Sequence, residues 1–229
     1  MFFDFNRSFL SYSKVQQLTG FAVRNKRFQL WRTGVRSKSY LDIGCGRNTH
    51  AHMINLDWQW HPGIDLCWDV AKLGLPLPDH SLRGIYSEHC LEHHQPRTAL
   101  SLLSECLRIL RPGGRIRLVL PDAEKYLRIY GEAIAGAACR PFPYSSDVYF
   151  DGIESPLLAV NRIFYQDRDS PHGHCFMYDS SLLTAFLDKV GFVDIRRSDF
   201  SQGDDSLLLL DSEERWIESF AIEARKPEF

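Results

Sequence analysis

The sequence lacks any apolar run that approaches the ~20 residues of a membrane-spanning helix, so an integral membrane protein is not expected. No continuous apolar segment marks the first residues as a secretory signal. The six cysteines contain no C-x-x-C pair, which disfavours a zinc site or disulfide framework and favours a reducing cytoplasm. With 44% hydrophobic and 24% charged residues, the composition is that of one globular domain.

Two phosphate-binding fingerprints are missing as well. The P-loop pattern G-x-x-x-x-G-K-[ST] does not occur, and G-x-G-x-x-G fails because its third glycine would fall at Thr49. Gly44 and Gly46 nevertheless flank Cys45 directly after a short apolar segment at residues 39–43. Glycine in such a turn lets the backbone adopt positive φ and approach a ligand closely. The turn therefore predicts a ligand site that is not built for a dinucleotide.

Charge is unevenly spread along the chain. Residues 1–39 hold eight Lys and Arg against one acid, although the whole chain has a net charge of −2. We predict a basic helical segment over residues 1–38 whose apolar residues, Leu18 and Phe21 among them, pack and leave the charges solvated. Peripheral contact with an anionic membrane surface is the alternative. Nucleic acid is disfavoured because no RNA-binding module is recognisable.

Hydrophobic periodicity predicts an α/β fold with an open, mostly parallel sheet. A stripe of leucines indicates a helix over 96–110, which a Pro-Gly turn at 111–114 is expected to end. Residues 121–178 are irregular and rich in proline and aromatics, which predicts an inserted lid or substrate wall after the fifth strand. The predicted strands are 39–43, 53–56, 64–67, 83–87, 115–120, 192–197 and 216–224, and the remaining predicted helices are 122–137 and 179–190.

Carboxylates follow the predicted strands one after another. Asp42 precedes the glycine turn, Asp57 ends the second strand, Asp69 with Val70 follows the third, and Glu88 ends the fourth. Ligands of open α/β sheets bind beyond the carboxyl ends of the strands. Acids at these positions without a phosphate cradle suit a cationic nucleoside. Taken singly, Asp57 and Asp69 also have a plainer interpretation as ordinary turn or capping residues, because aspartate favours those positions.

These residues stand in longer strings: L-D-I-G-C-G (41–46), I-N-L-D (54–57), L-P-L-P-D-H-S-L (75–82), I-Y-S-E-H-C-L-E-H (85–93), L-R-I-L-R-P-G-G-R-I-R-L-V-L-P-D (107–122) and G-H-C-F-M-Y-D (173–179). Together they resemble the class I S-adenosylmethionine-dependent methyltransferases, and more narrowly a bacterial group of small methyltransferase-domain proteins. The resemblance covers nearly the whole chain after residue 39. It implies a Rossmann-like methyltransferase domain over 39–229 with S-adenosylmethionine as cofactor.

The resemblance also implies roles for single residues. It implies that the cofactor is held by Asp42, Gly44, Cys45, Gly46, Asp57, Asp69, Val70, Ser87 and Glu88, with the glycines at its methionine part. Asp57 would hold the ribose, and Asp69 with Val70 the adenine. One departure is that only ten residues separate Gly46 from Asp57, too few for the usual helix. That helix is therefore expected to be short or missing, which leaves Asp65 as an alternative ribose ligand.

Methyl transfer from a sulfonium is an in-line displacement that needs a positioned acceptor and sometimes a base. His174, His89 and His93 are the catalytic candidates, because histidine accepts protons near neutral pH. The His89-x-x-x-His93 spacing alone does not predict a metal site, since no third ligand is evident. The expected acceptor is a small molecule or a glycan precursor. The alternatives are a non-catalytic methyltransferase-like interaction protein and an RNA methyltransferase.

Substitution of either glycine by alanine is expected to weaken cofactor binding through a Cβ clash while the fold survives.

Overall fold

A computed structural model of the chain describes residues 14–136, 141–165 and 173–228. The first part of the basic leader, Cys139 and His172 lie outside these ranges. Within them, no helix is long and apolar enough to cross a membrane.

A seven-stranded sheet forms the centre of the molecule. Its order is β3-β2-β1-β4-β5-β9-β8; the first five strands run parallel, and β9 runs antiparallel to both of its neighbours. This confirms the expected α/β fold with a mostly parallel sheet. The strands are β1 Tyr40–Ile43, β2 Met53–Asp57, β3 Leu66–Cys67, β4 Leu82–Glu88, β5 Leu110–Pro121, β8 Val193–Ser198 and β9 Ser219–Arg225, and β6 Tyr149–Phe150 pairs with β7 Ile153–Glu154 in a separate hairpin.

The helices begin and end at residues suited to those positions. Pro96 stands in a first turn, the Asp122 and Asp179 side chains cap following helices, and Gly191 ends one at φ +106°. The helices are α1 Lys14–Val23, α2 Thr33–Arg36, α3 Pro96–Ile109, α4 Ala123–Ile134, α5 Pro156–Tyr165, α6 Ser180–Val190 and α7 Glu213–Trp216.

The two faces of the sheet differ in chemistry because side chains alternate along each strand. One face is aliphatic, and α3 and α6 pack against it. The other face carries buried polar side chains that include Asp42, Asn55 and Arg117. Residues 199–211 cover this polar face, where buried Leu208 packs into a small apolar cluster. Residues 199–211 thus cover the polar face of the sheet, in place of a layer of helices.

The connections between the first strands differ from the pattern typical of such sheets. Residues 44–52 form turns and no helix, as the short spacing from Gly46 to Asp57 predicted. One prediction was wrong: the segment 111–114 does not form a turn between helix and strand. β5 already begins at Leu110, which pairs with Leu82, and the register shifts between Leu82 and Gly84. This irregularity lets one strand run through Pro112, which has no N–H for the ladder.

The leader also differs from its expectation. Its described part is mostly helical, but Leu18 and Phe21 on α1 are 69% and 81% exposed instead of packed. Its contacts with the domain include charged side chains as well as the buried Gln29 and Val35. Arg24 Nε donates to the Trp58 carbonyl at 2.8 Å, and Lys38 pairs with Asp65 at 2.8 Å. The long stems of Lys and Arg allow this, since they cover apolar surface while the charged head finds an acceptor.

Residues 121–178 include a lobe beyond the end of β5, here called the insertion lobe. In its described part α4 and α5 share an apolar cluster of Ala123, Tyr126, Ile129, Phe142, Ala159, Ile163 and Met177. Its two ends meet: Asp122 and Tyr178 form a β-bridge, and the Ala123 N–H donates to the Tyr178 carbonyl at 3.0 Å. The sequence pattern did not reveal α5, because its apolar stripe is embedded among prolines and aromatics.

A buried ion cluster on the polar face generates a stability prediction. Arg117 is fully buried and pairs with Asp211 and, at 3.0 Å, with Glu223. Arg117→Leu leaves the buried Asp211 carboxylate without a cation and leaves Glu223 paired with Arg196 alone, so we expect a loss of about 3–5 kcal/mol in the free energy of unfolding. Urea denaturation measures it. The matched control is Arg115→Ala, which removes the partly exposed pair with Asp204 and should cost under about 1 kcal/mol. Equal losses would contradict the role of burial.

Candidate cofactor and active site

The glycine turn after β1 is tied to the end of β2. The Gly44 and Cys45 N–H groups both donate to the Leu56 carbonyl, at 2.9 and 3.2 Å. The Gly46 N–H donates to Asp57 Oδ2 at 2.9 Å. Both glycines have positive φ, +75° and +53°, which favours residues without a Cβ. The turn is therefore held open by backbone bonds and one carboxylate, without a helix behind it.

The two glycines have different surroundings, which corrects the expectation that they are equivalent. A Cβ on Gly44 would lie 2.7 Å from Cys90 Sγ, a clash with the protein itself. A Cβ on Gly46 would meet nothing within 4 Å among the described residues. Gly44 thus packs against the turn after β4, whereas Gly46 borders open space. The expectation that the fold survives alanine substitution holds on these grounds for Gly46 and not for Gly44.

Asp57 and Asp65 have separate tasks. Asp65 Oδ2 accepts the Asn55 N–H at 3.0 Å and the Lys38 ammonium at 2.8 Å, so it joins the leader to β2. Asp57 lies half-buried at the end of β2, and its oxygens accept the Gly46 and Gln59 N–H groups at 2.9 and 2.6 Å. A carboxylate has about four acceptor positions, so Asp57 retains capacity for two hydroxyls.

Three carboxyls lie at the ends of β1, β2 and β4. Burial raises the pKa of Asp42 well above its usual range, and the charges of Glu88 and Asp57 raise it further. Burial also raises the pKa values of Asp57 and Glu88. Glu88 accepts the Ser212 N–H at 2.9 Å, and Ser87 Oγ donates to the Ile43 carbonyl at 2.9 Å. A ligand with positive charge would relieve this repulsion.

Asp69 and Val70 follow β3, as the sequence predicted. Asp69 Oδ1 accepts the Ala71 N–H at 3.2 Å, and Lys72 pairs with Asp69 at 3.3 Å. The Asp69 N–H donates to Asn25 Oδ1 at 2.8 Å. Val70 is half-buried against the main core. Asp69 therefore does organise a turn, and this arrangement keeps its carboxyl and Val70 at the carboxyl edge of the sheet.

The three candidate histidines come together around a residue that sequence reasoning missed. Glu92 lies in a short 3₁₀ turn after β4 and is 0% exposed. Its Oε1 lies 3.8 Å from His89 Nδ1, 3.9 Å from His93 Nε2 and 3.8 Å from His174 Nε2. The Glu92 carbonyl accepts the Cys175 and Phe176 N–H groups, which docks the segment carrying His174. The only local signal was an acid between two histidines, in the string E-H-C-L-E-H.

Burial also sets the charge of the cluster. It lowers the pKa of His89 well below its usual range, and it lowers the pKa of His174. Both imidazoles are therefore neutral at pH 7, with one nitrogen lone pair each. A neutral imidazole at the end of β4 can accept a proton or a cation.

Comparisons with known proteins agree with this architecture. Residues 45–118 match a family model described as a methyltransferase domain, about a third of the chain. No curated protein matches the chain.

Solved structures similar to the chain include several methyltransferases. A SAM-dependent methyltransferase from Archaeoglobus fulgidus is 19% identical, with 92% of this chain and 94% of that chain covered and a TM-score of 0.48. A possible histamine N-methyltransferase from Thermotoga maritima is 15% identical, with coverage of 86% and 87% and a TM-score of 0.47. A Haloferax volcanii putative methyltransferase, solved in complex with the Trm112 activator, is 12% identical, with coverage of 93% and 89% and a TM-score of 0.46.

The matched residues run from the glycine turn into β5, and so include the ends of β2, β3 and β4 where the carboxylates lie. Family match, strand order and turn geometry thus concern the same part of the molecule. Residues 45–118 thus match a methyltransferase domain, and they lie in a mostly parallel sheet of the Rossmann-like type.

Proposed function

We propose that the enzyme transfers the methyl group in line to a small-molecule or glycan-type acceptor bound beneath the insertion lobe. The observation that carries this is the closure of the lobe: its ends meet at Asp122 and Tyr178, directly beyond β5. A lobe that returns to its starting point beside the strand ends would narrow access to the proposed cofactor site. An enclosed site suits a small acceptor better than a folded RNA.

Polar groups at the base of the lobe support a hydroxyl-bearing acceptor. Glu218, just before β9, accepts the hydroxyls of Tyr126 and Tyr144 at 2.9 and 3.2 Å. His89 Nδ1 lies 4.0 Å from Glu218. This acid, the two phenols and the imidazole can bind hydroxyls by hydrogen bonds. Three of the described leader cations, Arg24, Arg32 and Lys38, already contact the domain, which weighs against their use for RNA.

For the cofactor, we propose that Gly44, Cys45 and Gly46 approach the methionine part with Asp42 close by. Asp57, with two acceptor positions unused, would hold the ribose hydroxyls. Asp69 and Val70 would contact the adenine, and Ser87 with Glu88 would face the cofactor and acceptor. The support is their shared position at the carboxyl edge of a parallel sheet, where such sheets bind ligands.

For the chemistry, we propose that His89, His93 and His174 remain the candidates to accept the proton that a hydroxyl or amine acceptor loses. They lie around Glu92, immediately after β4, and the backbone of Cys90 lies 3.9 Å from where a Gly44 Cβ would stand. The sulfur–methyl bond breaks as the acceptor–methyl bond forms, so no covalent enzyme intermediate is needed. Positioning and exclusion of water account for most of the rate.

The glycine turn gives the most specific prediction. Gly46→Ala should lower affinity for S-adenosylhomocysteine tenfold or more, because its Cβ would occupy space assigned to the ligand. The measurement is calorimetric titration. Gly152→Ala is the matched control, since Gly152 also has positive φ, +78°, and nothing within 4 Å among the described residues. Both variants bear a similar backbone strain of about 1–2 kcal/mol.

Of Gly46→Ala and its control Gly152→Ala, only Gly46→Ala should lose affinity for S-adenosylhomocysteine. Gly44→Ala should lower the melting temperature, because its Cβ would clash with Cys90. Unchanged affinity in Gly46→Ala would show that the turn is not the binding loop.

The raised carboxyl pKa values predict a pH dependence. A folded protein whose acids have raised pKa values holds more protons than the unfolded chain, so its stability falls as pH rises through those values. A bound sulfonium favours the ionised carboxylates and offsets the loss. We expect the rise in Tm with saturating S-adenosylmethionine to grow as the pH rises from the usual carboxyl range, about pH 4, through the raised pKa values. S-adenosylhomocysteine, without the sulfonium charge, is the control and should show a shallower slope. The same slope for both ligands would contradict this.

The acceptor class is tested by methyl transfer. The enzyme is incubated with methyl-labelled cofactor and either a panel of sugars, nucleotide sugars and phenols or total RNA. We expect label in a small product, lost in Gly46→Ala. Label confined to RNA would favour the RNA methyltransferase alternative. Cofactor binding without transfer to any acceptor offered would favour the non-catalytic alternative.

A further inference from the structure

Glu92 is the least compensated charge in the described part of the chain that the cofactor proposal does not use. Its side chain is fully buried, and neither carboxylate oxygen has a hydrogen-bond partner among the described residues. An ionised carboxylate is not stable in a buried position unless a cation or several donors compensate it. The three groups nearest to Oε1 are the imidazoles of His89, His93 and His174, at 3.8–3.9 Å.

Hydrogen bonds fix which nitrogen carries the proton in two of these rings. His174 Nδ1 lies 2.8 Å from the Ile163 carbonyl, which only accepts, so Nδ1 is protonated and the Nε2 lone pair faces Glu92. The Ser219 hydroxyl donates to the Arg215 carbonyl at 2.7 Å and therefore accepts from His89 Nε2 at 2.7 Å. The lone pair of His89 consequently lies on Nδ1, which also faces Glu92.

Lone pairs facing a carboxylate repel it unless a cation lies between them. At 3.8–3.9 Å the atoms are too far apart for hydrogen bonds. Ligands of one Zn²⁺, each about 2.0–2.1 Å from the ion, stand roughly 3.4 Å apart in a tetrahedron. One ligand atom each from Glu92, His93 and His174 lies within 4.8 Å of the others. A contraction of under about an ångström per side chain would bring them to a common ion.

We propose that Glu92, His93 and His174 bind a divalent transition-metal cation, of which Zn²⁺ is the first to test. Two imidazoles and one carboxylate are donors that Zn²⁺ and its first-row neighbours prefer, and three protein ligands leave a position open. His89 Nδ1 or an added oxygen would fill that position.

The surroundings of the ligands are those of a prepared site. A metal-binding histidine usually donates its second ring N–H to a carbonyl or carboxylate, and His174 does so to Ile163. The Glu92 carbonyl accepts the N–H groups of Cys175 and Phe176, at 2.9 and 3.1 Å, which fixes the two ligand-bearing segments against each other. A metal there would occupy the lone pairs of His93 and His174, and would leave His89 as the remaining proton acceptor when an added oxygen fills the open position.

Metal uptake is measured on the whole chain after removal of metals with a chelator. We expect one equivalent of Zn²⁺ or Co²⁺ per chain after dialysis, visible absorption bands of a low-symmetry Co²⁺ site, and a rise in Tm of about 5 °C or more. None of these readouts requires cofactor or methyl transfer, so they succeed or fail independently of the proposed function. Failure of the wild-type chain to retain either ion, with unchanged Tm, would overturn the proposal.

Variants distinguish a metal site from a buried charge with a purely structural role. Glu92→Gln keeps the shape and removes the charge, so it should raise the Tm of the metal-free protein and abolish the further rise with Zn²⁺. His174→Ala should weaken Zn²⁺ binding at least tenfold. His52→Ala, which removes a half-buried imidazole that lies 3.0 Å from the Leu207 carbonyl and is not part of the cluster, is the matched control and should bind Zn²⁺ as the wild type does. Equal uptake by wild type, Glu92→Gln and His174→Ala would refute the site.

Discussion

The contact between the Asp57 carboxylate and the Gly46 N–H is the constraint on which the proposed cofactor site depends. It joins the turn after β1 to the end of β2 at 2.9 Å. The Leu56 carbonyl adds two backbone bonds to the same turn. Residues 44–52 form no helix, so the positive-φ turn is held by the end of β2 and by His61, whose ring contacts the Gly46 carbonyl. The carboxylate that shapes the turn is therefore also the one that the proposed site assigns to the ribose.

Loss of that helix affects the rest of the molecule. A parallel sheet must be covered on both faces. α3 and α6 cover the aliphatic face, and residues 199–211 cover the polar one, where Arg117 joins Asp211 to Glu223. The leader packs beside β2 and β3 through charged side chains such as Lys38 and through the buried Gln29 and Val35. Segments from both ends of the chain thus complete a domain that has no helix in the described chain between β1 and β4.

Sequence reasoning identified features encoded in short stretches. The parallel strands, the glycine turn, the acids at strand ends and the missing helix all follow from neighbouring residues. Features made by distant residues were not accessible. Glu92 looked like one more polar residue in a turn, because only the folded chain brings His174 to it. The exposure of Phe21 was mispredicted for the same reason: an apolar residue on a helix indicates a packing face but does not identify its partner.

The central claim is that S-adenosylmethionine lies across the glycine turn with its ribose on Asp57. A crystal structure with S-adenosylhomocysteine tests it most directly. The account predicts both ribose hydroxyls within hydrogen-bond distance of the Asp57 carboxylate and the amino-acid part of the ligand beside Gly46. A ribose bound to Asp65 instead, or a ligand away from the carboxyl edge of β1 and β2, would contradict it.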